Sequence, residues 1–203
     1  MRDDLKATFG NIDIYLFDQL SKGRFDACKT VLDAGCGNGR NLIYFLQQHV
    51  NVFGLDQDLA VIQEVRQMAQ LLAPHLPPGN FQVGLVEDLP FPESYFDLVI
   101  CSAVLHFARD QQHFDQMIRS VWRVLKPGGS LFVRLASSIG LEHLVQDLGN
   151  GRYHLPDGSN RFLVNEELLL RYTAALNGEL CEYLKTTNVQ NLRCMTTWCL
   201  RKI

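Results

Sequence analysis

The feature that most constrains the fold is a regular alternation of short apolar strands with amphipathic helices in the first two thirds of the sequence. Strand-like runs are predicted at Thr30–Asp33, Val52–Asp56, Phe81–Val86, Phe96–Cys101 and Ser130–Ala136. Helical spacing of apolar residues is found over residues 39–49, after Asp58 and after Asp110. Because parallel strands need crossover connections, the alternation predicts a parallel sheet covered by helices on both faces.

Both ends of the chain depart from this alternation. Residues 11–22 predict an amphipathic helix that ends near Gly23. Near the C-terminus a helix is predicted over residues 165–176, followed by strand-like runs over 179–187 and 192–202. We therefore predict an α/β fold of the doubly wound, Rossmann-like kind. Its sheet would have seven strands, mostly parallel, with an antiparallel strand near the C-terminus.

We predict one domain over residues 1–203, with four parts. Residues 1–28 would form a helical cover, 29–136 the core, 137–164 an insertion, and 165–203 a helix with a strand pair. The insertion predicts a short helix through Ile139, Leu141 and Leu144, and then a hairpin turning at PDGS. Since five alternating units need no insertion, we assign it to an acceptor pocket; the alternative is a hairpin that only covers apolar side chains.

Composition excludes several classes of protein. The net charge of −3 and the lack of a Lys/Arg cluster give no support to a nucleic-acid partner. No apolar run approaches the length of roughly 20 residues that spans a bilayer, and MRDDLKATFG is not a secretory signal. The six cysteines form no CxxC pair, so we expect reduced core thiols, a cytoplasmic protein and no metal site.

The first strand ends in a glycine-rich turn, VLDAGCGNGR. Gly35, Gly37 and Gly39 follow a GxGxG spacing, whereas the dinucleotide pattern GxGxxG would need glycine at Arg40. Glycines at such positions permit unusual backbone angles and a close approach of ligand to main chain. The turn therefore indicates a ligand site at the carboxyl ends of the strands.

Two acids accompany the turn. Asp56 ends the second strand, 21 residues beyond Gly35, where a carboxylate can accept hydrogen bonds from ribose hydroxyls. Asp33 precedes the turn and could orient it and neutralise the ammonium of a bound amino acid. Alternatively, Asp56 only caps a helix or turn, and Asp33 only braces the glycines.

Four segments, in this order, resemble the class I S-adenosylmethionine-dependent methyltransferases: VLDAGCGNGRN, FGLDQD, VEDLPFPESYFDLVICSAVLHF and WRVLKPGGSLFVRL. The likeness is to the small bacterial type 11 and tellurite-resistance-like branches, and it covers about residues 29–136. It implies S-adenosylmethionine as cofactor and methyl transfer as activity. The cofactor-binding residues that it implies are Asp33, Gly35, Gly37, Asn38, Gly39, Asn41, Asp56, Gln57, Val86, Glu87, Ser102 and Leu105.

The resemblance also implies roles for parts of this set. The glycines would lie against the methionine part, and Ser102 and Leu105 would border the sulfonium. Many relatives carry Gly-Asp-Ala where this chain has Gly84-Leu85-Val86, so Glu87 or Asp88 would replace the usual carboxylate at the adenine.

The acceptor side is less constrained by the sequence. His106 is the candidate base, although a packing role is the alternative, and Arg134 would meet an anionic acceptor or pair with a nearby acid. The candidate acceptor contacts are Tyr15, Phe17, His106, Arg134, Tyr153 and His154, with Arg161 beside them. His113 and His143 are expected to be solvated helix residues.

A small-molecule acceptor is the default expectation. After the fourth strand the chain reads CSAV rather than the Asn/Asp-Pro-Pro-aromatic pattern that holds flat amino groups. Its length leaves no room for an added RNA-binding domain, and its cysteines are not arranged as in arsenic-methylating relatives. Two alternatives stay open: a nicotinamide-dependent reductase with the same fold, and a methyltransferase-like protein that binds the cofactor without catalysis.

Overall fold

The computed structural model describes residues 2–203, with side chains from residue 4 onward. The α-helices are α1 (Arg2–Phe9), α2 (Ile14–Ser21), α3 (Ile43–Gln47), α4 (Leu59–Leu72), α5 (Gln111–Val124) and α6 (Glu166–Ala175). The strands of the main sheet are β1 (Thr30–Ala34), β2 (Asn51–Asp56), β3 (Phe81–Val83), β4 (Phe96–Ser102), β5 (Leu125–Ser137), β9 (Gly178–Leu180), β10 (Lys185–Val189) and β11 (Arg193–Lys202). A separate small sheet contains β6 (Gln146–Gly149), β7 (Arg152–His154) and β8 (Asn160–Phe162).

The main sheet has the strand order β10-β11-β5-β4-β1-β2-β3, and β9 also pairs with β11. Strands β1 to β5 run parallel, whereas β11 is antiparallel to β5 and to both β9 and β10. Leu180 of β9 pairs with Leu200 and Lys185 of β10 pairs with Thr197, so β9 and β10 occupy one edge position in two pieces. The predicted seven-stranded, mostly parallel sheet with an antiparallel strand is confirmed.

Two apolar clusters lie on opposite faces of this sheet. Val31 and Leu32 are neighbours in β1 but belong to different clusters, because successive residues of a strand point to opposite faces. Helices α2, α3 and α4 contribute to the Val31 cluster, and α5 and α6 contribute to the Leu32 cluster. Burial on both faces explains why the strands read as continuous apolar runs, and it confirms the doubly wound arrangement.

Aspartate caps determine where two helices begin. Asp58 accepts a hydrogen bond from the backbone N–H of Ala60 at 2.8 Å, at the start of α4. Asp110 accepts one from the backbone N–H of His113 at 2.7 Å, at the start of α5. Replacement of such a cap by alanine costs about 1 kcal/mol. Both aspartates stand directly before the helical runs that the sequence predicts.

Two elements are shorter than predicted. The expected helix over residues 39–49 is reduced to Ile43–Gln47, because Gly39 has φ +75°, which is incompatible with a right-handed helix. The expected strand Phe81–Val86 ends at Val83, because Val86–Asp88 form a 3-10 helix. In both places the chain leaves regular structure early and lines the carboxyl edge of the sheet.

The insertion folds as a three-stranded antiparallel sheet, β6-β7-β8. The predicted hairpin is present as β7 and β8, but the predicted helix through Ile139, Leu141 and Leu144 is wrong. Residues 139–144 form turns instead, and Gly140 has the left-handed φ of +83°. The small sheet is attached to the main one, since Ser137 at the end of β5 bridges to Val164.

Two expectations from composition can be compared with the structure. The six cysteines are all free, and Cys36, Cys101, Cys194 and Cys199 are buried, as expected for core thiols. Within residues 2–203, none of the helices has the length and apolar character needed to cross a membrane.

Candidate functional site

A cleft of about 580 Å³ opens at the carboxyl edge of the parallel strands. The strand order reverses between β1 and β4, and such a reversal is where doubly wound sheets bind ligands. The cleft is lined by residues 35–38, 40 and 41 after β1, 56 and 57 at the end of β2, 84–87 after β3, 102–104, 107 and 109 at and beyond the end of β4, and 113 and 117 of α5. Segments far apart in the chain thus converge on one site.

The glycine turn is tied to β2 and open to the cleft. The backbone N–H groups of Gly35 and Cys36 both donate to the carbonyl oxygen of Leu55, at 2.8 and 2.9 Å. Gly35 has φ +81°, and a Cβ there would lie 2.4 Å from Cγ2 of Val104. Gly37 has φ +50°, and a Cβ there would meet no atom of the described residues within 4 Å. Gly35 therefore permits close packing, whereas Gly37 presents bare backbone to the cleft.

The third glycine has a different role from the one expected. Gly39 does not line the cleft, and a Cβ there would lie 2.5 Å from Cε of Met68 on α4. Its lack of a side chain lets the turn pack against that helix, which corrects the predicted ligand contact. Asn38 and Asn41 do line the cleft, as predicted.

Asp56 stands at the end of β2 with its carboxylate held by backbone donors. The N–H of Gly37 donates to Oδ2 at 2.9 Å, and the N–H of Asp58 donates to Oδ1 at 3.1 Å. A carboxylate offers about four acceptor positions, so each oxygen retains capacity for a further donor. The bracing role and the hydroxyl-binding role, treated as alternatives in the sequence, are therefore compatible. Gln57 lines the cleft beside it.

Asp33 lies beneath the glycine turn, not on the cleft wall. Its side chain is 1% exposed, and neither carboxyl oxygen has a hydrogen-bond partner among the described residues. Burial raises the pKa of Asp33 well above its usual range; the positive charge of Arg40 opposes this, and the negative charge of Asp56 adds to it. An unpaired buried carboxyl group is costly, which makes Asp33 a feature that folding alone does not explain.

His113 corrects a prediction. It was expected to be a solvated helix residue, but it is buried in the first turn of α5 and lines the cleft. Its Nε2 lies 2.9 Å from Oε1 of Glu87, and the backbone N–H of Arg109 donates to its Nδ1 at 3.1 Å. Because Nδ1 accepts a hydrogen bond, Nε2 carries the proton and donates to Glu87.

Glu87 remains charged in this setting. Burial opposes its ionised form, but a backbone hydrogen bond, the hydrogen bond from His113 and the nearby charge of Arg109 outweigh burial and lower its pKa. Leu85, two residues earlier, lines the same wall with its side chain 48% exposed. The wall thus combines an apolar side chain with a positioned carboxylate.

Only some of the residues at and beyond the end of β4 line the cleft. Ser102 and Val104 line it, and Ala103 between them has φ +63°. Leu105 was predicted to border the sulfonium, but it is fully buried in the core. Phe107, which the sequence analysis did not single out, lines the cleft instead, with 56% of its side chain exposed.

His106 does not line the cleft. It is buried, and its Nδ1 accepts a hydrogen bond from the backbone N–H of Ala136 at 3.2 Å. Burial, with the positive charges of Arg161 and Arg193, lowers the pKa of His106 to about 4. A neutral ring engaged at Nδ1 carries its proton on Nε2, so the geometry corresponds to the packing alternative and not to the predicted base.

An ion-pair cluster around the buried carboxylate of Asp13 lies next to the cleft, and two of its members, Arg40 and Ser102, line the cleft. Oδ2 of Asp13 accepts from Nη1 of Arg134 at 3.2 Å, from Oγ of Ser102 at 3.4 Å and from Nη2 of Arg40 at 3.5 Å. Its Oδ1 caps α2 through the N–H of Tyr15 at 2.9 Å. Arg134 therefore pairs with an acid, the second of the two alternatives left open above. We call Asp13, Arg40, Ser102 and Arg134 the Asp13 cluster.

The other predicted acceptor contacts lie away from the cleft. Phe17, Tyr153 and His154 are not among its lining residues, and neither is Tyr15, whose ring stacks under Arg134. Arg161, also predicted beside these contacts, does not line the cleft either, but it contacts a residue that does. The Arg161 guanidinium lies over the ring of Phe107, 4.9 Å from its centroid.

The donor set fits S-adenosylmethionine. Gly37 offers bare backbone in open space, Asp56 offers free acceptor positions for hydroxyls, and Leu85 with Glu87 offers an apolar surface next to an acceptor. Such a combination matches a ligand that joins an amino acid, a ribose and an adenine.

Comparison with known proteins gives a family. Residues 32–133, half of the chain, match the family described as "Methyltransferase domain". An uncharacterized methyltransferase of Synechocystis sp. is 38% identical over 99 residues, which cover 49% of this chain and 43% of that protein. A malonyl-[acyl-carrier protein] O-methyltransferase of Pseudescherichia vulneris is 31% identical over 152 residues, which cover 74% and 55%. The chain spans about half the length of these curated relatives.

A solved structure shows the same fold. The crystal structure of a protein from Pyrococcus horikoshii OT3 matches with a TM-score of 0.69 at 20% identity, covering 98% of this chain and 96% of that one. The family match contains the glycine turn, Asp56 and the segment after β4, which together form the cleft. The chain belongs to the type 11 family of S-adenosylmethionine-dependent methyltransferases.

Proposed function

We propose that this protein transfers the methyl group of S-adenosylmethionine to a small-molecule acceptor. The observation that carries the proposal is the pairing of Gly37, whose backbone is open to the cleft, with the hydrogen-bonded carboxylate of Asp56. The bound cofactor supplies a methyl group already activated on a sulfonium. What remains for the protein is to align the acceptor and exclude water, which can lower the barrier by several kcal/mol.

The residues of the cleft divide the binding task. Gly35, Gly37, Asn38 and Asn41 would hold the methionine part, and Asp56 would accept the ribose hydroxyls with Gln57 beside the adenine. On the opposite wall, Glu87 and the backbone of Val86 would contact the adenine edge. Ser102 would border the reacting sulfur. Each of these residues lines the cleft and offers it a polar side chain or backbone groups.

The proposal assigns no histidine base. Two buried histidines lie near the cleft. Nδ1 of His106 accepts a hydrogen bond from the backbone of Ala136, and Nε2 of His113 donates a hydrogen bond to Glu87. An acceptor whose nucleophilic atom is already deprotonated, or loses its proton easily, is consistent with this arrangement.

We also infer a compartment and a class of partner for this protein. Six free cysteines support a reducing compartment such as the cytoplasm. A net charge of −3 does not support a nucleic-acid partner.

Ligand binding tests the cofactor assignment. Thermal shift and calorimetry should show binding of S-adenosylmethionine and S-adenosylhomocysteine but not of NAD. A ligand at 100 times its dissociation constant stabilises the fold by about 2.7 kcal/mol. A response to NAD with none to S-adenosylhomocysteine would refute the proposal in favour of a reductase. Single-turnover methyl transfer to a metabolite panel separates an active enzyme from a silent binder.

The substitution Asp56→Ala tests whether the carboxylate paired with Gly37 binds the cofactor. Loss of hydrogen bonds to a charged group, worth about 1.5–3 kcal/mol each, should weaken S-adenosylhomocysteine binding at least about tenfold. Asp115→Ala, on the exposed side of α5 in an ion pair with Arg119, serves as the matched control. Unchanged affinity in Asp56→Ala would restrict Asp56 to bracing the glycine turn.

A further inference from the structure

A pair of side chains at the cleft mouth indicates the chemistry of the acceptor. Phe107 is 56% exposed, although the two residues before it in the same turn, Leu105 and His106, are buried. Ligand pockets are lined mainly by apolar and aromatic side chains, so an exposed ring at the wall of a cleft is a candidate ligand contact. Phe107 follows β4, on the same side as Ser102.

Arg161 does not itself line the cleft, but it brings a positive charge next to Phe107 on this wall. Its guanidinium lies 4.9 Å from the Phe107 ring centroid, a cation–π arrangement, and its Nη1 donates to the carbonyl oxygen of Asn160. Among the described residues, no carboxylate lies within ion-pair distance of Arg161, whereas the exposed Arg119 is paired with Asp115. Asp157 is near enough for the charge of Arg161 to help lower the pKa of that carboxyl group, but the two form no ion pair, so the guanidinium N–H groups remain available to a ligand.

The pair is held in place by the insertion. Phe162, next to Arg161 in β8, is buried and stacks on Phe114 of α5 at 4.9 Å between ring centroids. Arg152 of β7 donates to the carbonyl oxygen of Ala108 at 2.8 Å, which ties the insertion to the chain directly after Phe107. A stacked arginine and ring on a fixed support lose little freedom when a ligand binds.

The acidic groups of the cleft do not neutralise this surface. Asp56 is hydrogen-bonded to the backbone at Gly37 and Asp58, and Glu87 to His113. We propose that the acceptor is a planar, unsaturated or aromatic molecule with an anionic group, and that Phe107 and Arg161 form its subsite. The ring of the acceptor stacks on Phe107, and its anionic group pairs with Arg161. A cationic acceptor is repelled.

This inference rests on the proposed function, so cofactor binding and acceptor preference are measured separately. Calorimetry on the protein saturated with S-adenosylhomocysteine compares two acids with their neutral amides: 4-hydroxybenzoate with 4-hydroxybenzamide, and indole-3-acetate with indole-3-acetamide. We expect at least one acid to bind about tenfold or more tightly than its amide, since a charge-assisted hydrogen bond distinguishes them. The preference should weaken with added salt, as charge pairing at a partly exposed site does.

Variants assign the preference to the two residues. Arg161→Gln should bring the affinity for the acid down to that for the amide and leave S-adenosylhomocysteine affinity unchanged, while Arg161→Lys keeps part of the preference. Phe107→Ala should weaken the acid and the amide alike. Arg119→Gln, which removes an exposed arginine on α5, is the control and should behave as wild type.

Three outcomes overturn the inference: wild-type protein that binds amides as well as acids, wild-type protein that binds S-adenosylhomocysteine but none of the four probes, and Arg161→Gln protein that keeps the preference. Failure of S-adenosylhomocysteine itself to bind refutes the proposed function and, with it, the inference that rests on it.

Discussion

The Nε2–H group of His113 donates a hydrogen bond to the carboxylate of Glu87, with Nε2 and Oε1 2.9 Å apart. The backbone N–H of Arg109 determines the tautomer by donating to Nδ1. These contacts hold a carboxylate on the wall that begins with Leu85, where many relatives carry aspartate. The pair thus fixes a carboxylate two residues after Leu85 on this wall.

Replacement of His113 by phenylalanine should weaken the fold in a pH-dependent way. The loss of one hydrogen bond to Glu87 should lower the free energy of unfolding by about 1 kcal/mol near neutral pH. The pKa of Glu87 is lowered in the folded state, so its stabilisation is present above its ordinary pKa of 4.5 and is lost as pH falls through the folded value. Urea denaturation over a pH series should therefore show the difference from wild type shrinking below pH 4.5.

His143→Phe, at an exposed position, is the control for this variant. A stability difference that stays constant as the pH falls would show that His113 acts by packing and not through Glu87. Calorimetry should also show weaker S-adenosylhomocysteine binding in His113→Phe if Glu87 contacts the adenine edge.

Asp33 should have the opposite pH dependence. Its pKa is raised by burial, so the folded protein holds its proton more tightly than the unfolded chain does. The stabilising contribution is fully present below the ordinary pKa of 3.8, and it declines as pH rises from there towards the folded pKa. Asp33→Asn, which carries no titrating proton, should gain stability relative to wild type as pH rises through this range.

Chemical denaturation of both proteins across the pH range measures this gain. If Asp33 also neutralises the ammonium of the cofactor, the same variant should bind S-adenosylmethionine more weakly despite its greater stability. Asp33→Asn that is less stable than wild type at every pH would show that the carboxylate has partners that folding requires.

Alanine at two glycines should separate folding from binding. Gly37→Ala puts a methyl group into open space at φ +50°, which costs about 1–2 kcal/mol of backbone strain but creates no clash with the protein. Gly35→Ala adds a contact of 2.4 Å with Val104 to similar strain, so it should cost more, with overpacking alone contributing about 1–3 kcal/mol.

Thermal denaturation and calorimetry distinguish the two effects. Gly37→Ala should fold and lose cofactor affinity. Gly35→Ala should lose stability first, and the further change Val104→Ala should restore part of it. Equal stability losses in the two single variants would argue against the packing role of Gly35.

Asp13 should hold the start of α2 against Arg134 and Arg40. Asp13→Ala leaves Arg134 without its buried partner, and such a change costs about 3–5 kcal/mol. Asp13→Asn keeps a good cap for α2 but removes the charge that Arg134 and Arg40 share. Hydrogen exchange of Ile14–Ser21 should accelerate in both variants, more in alanine than in asparagine. Unchanged exchange in Asp13→Ala would mean that packing alone holds α2.

Much of the fold was predictable because its signals are local. Apolar periods locate β1, β2, β4, α4 and α5, and the caps Asp58 and Asp110 are recognised from their position before an apolar run. The predicted helices were wrong or too long where a glycine with positive φ interrupts the helical spacing of apolar residues. Residues 39–42 form a turn because Gly39 has a positive φ, and residues 139–144 form turns around Gly140.

The site was predictable only in part. Gly35, Gly37 and Asp56 line the cleft as the motif spacing indicated, whereas Leu105 is in the core and Phe107 takes its place. In the sequence, Phe107 is an apolar residue next to a histidine. Local sequence does not indicate which residue of a short turn is exposed to the cleft. The position of Asp13 directly before an apolar helical run could have indicated that it caps α2.

By itself, the sequence determined the doubly wound sheet and the position of the glycine turn and Asp56 at its carboxyl edge. These follow from the period of apolar residues and from chain order, which are local properties. The tertiary structure alone decided that Asp13 pairs with Arg134, 121 positions away, that His113 bonds to Glu87, 26 positions away, and that Arg161 stacks on Phe107. Such contacts depend on the relative placement of whole elements, because the energy of a charged or stacked pair is gained only once packing has brought both partners together.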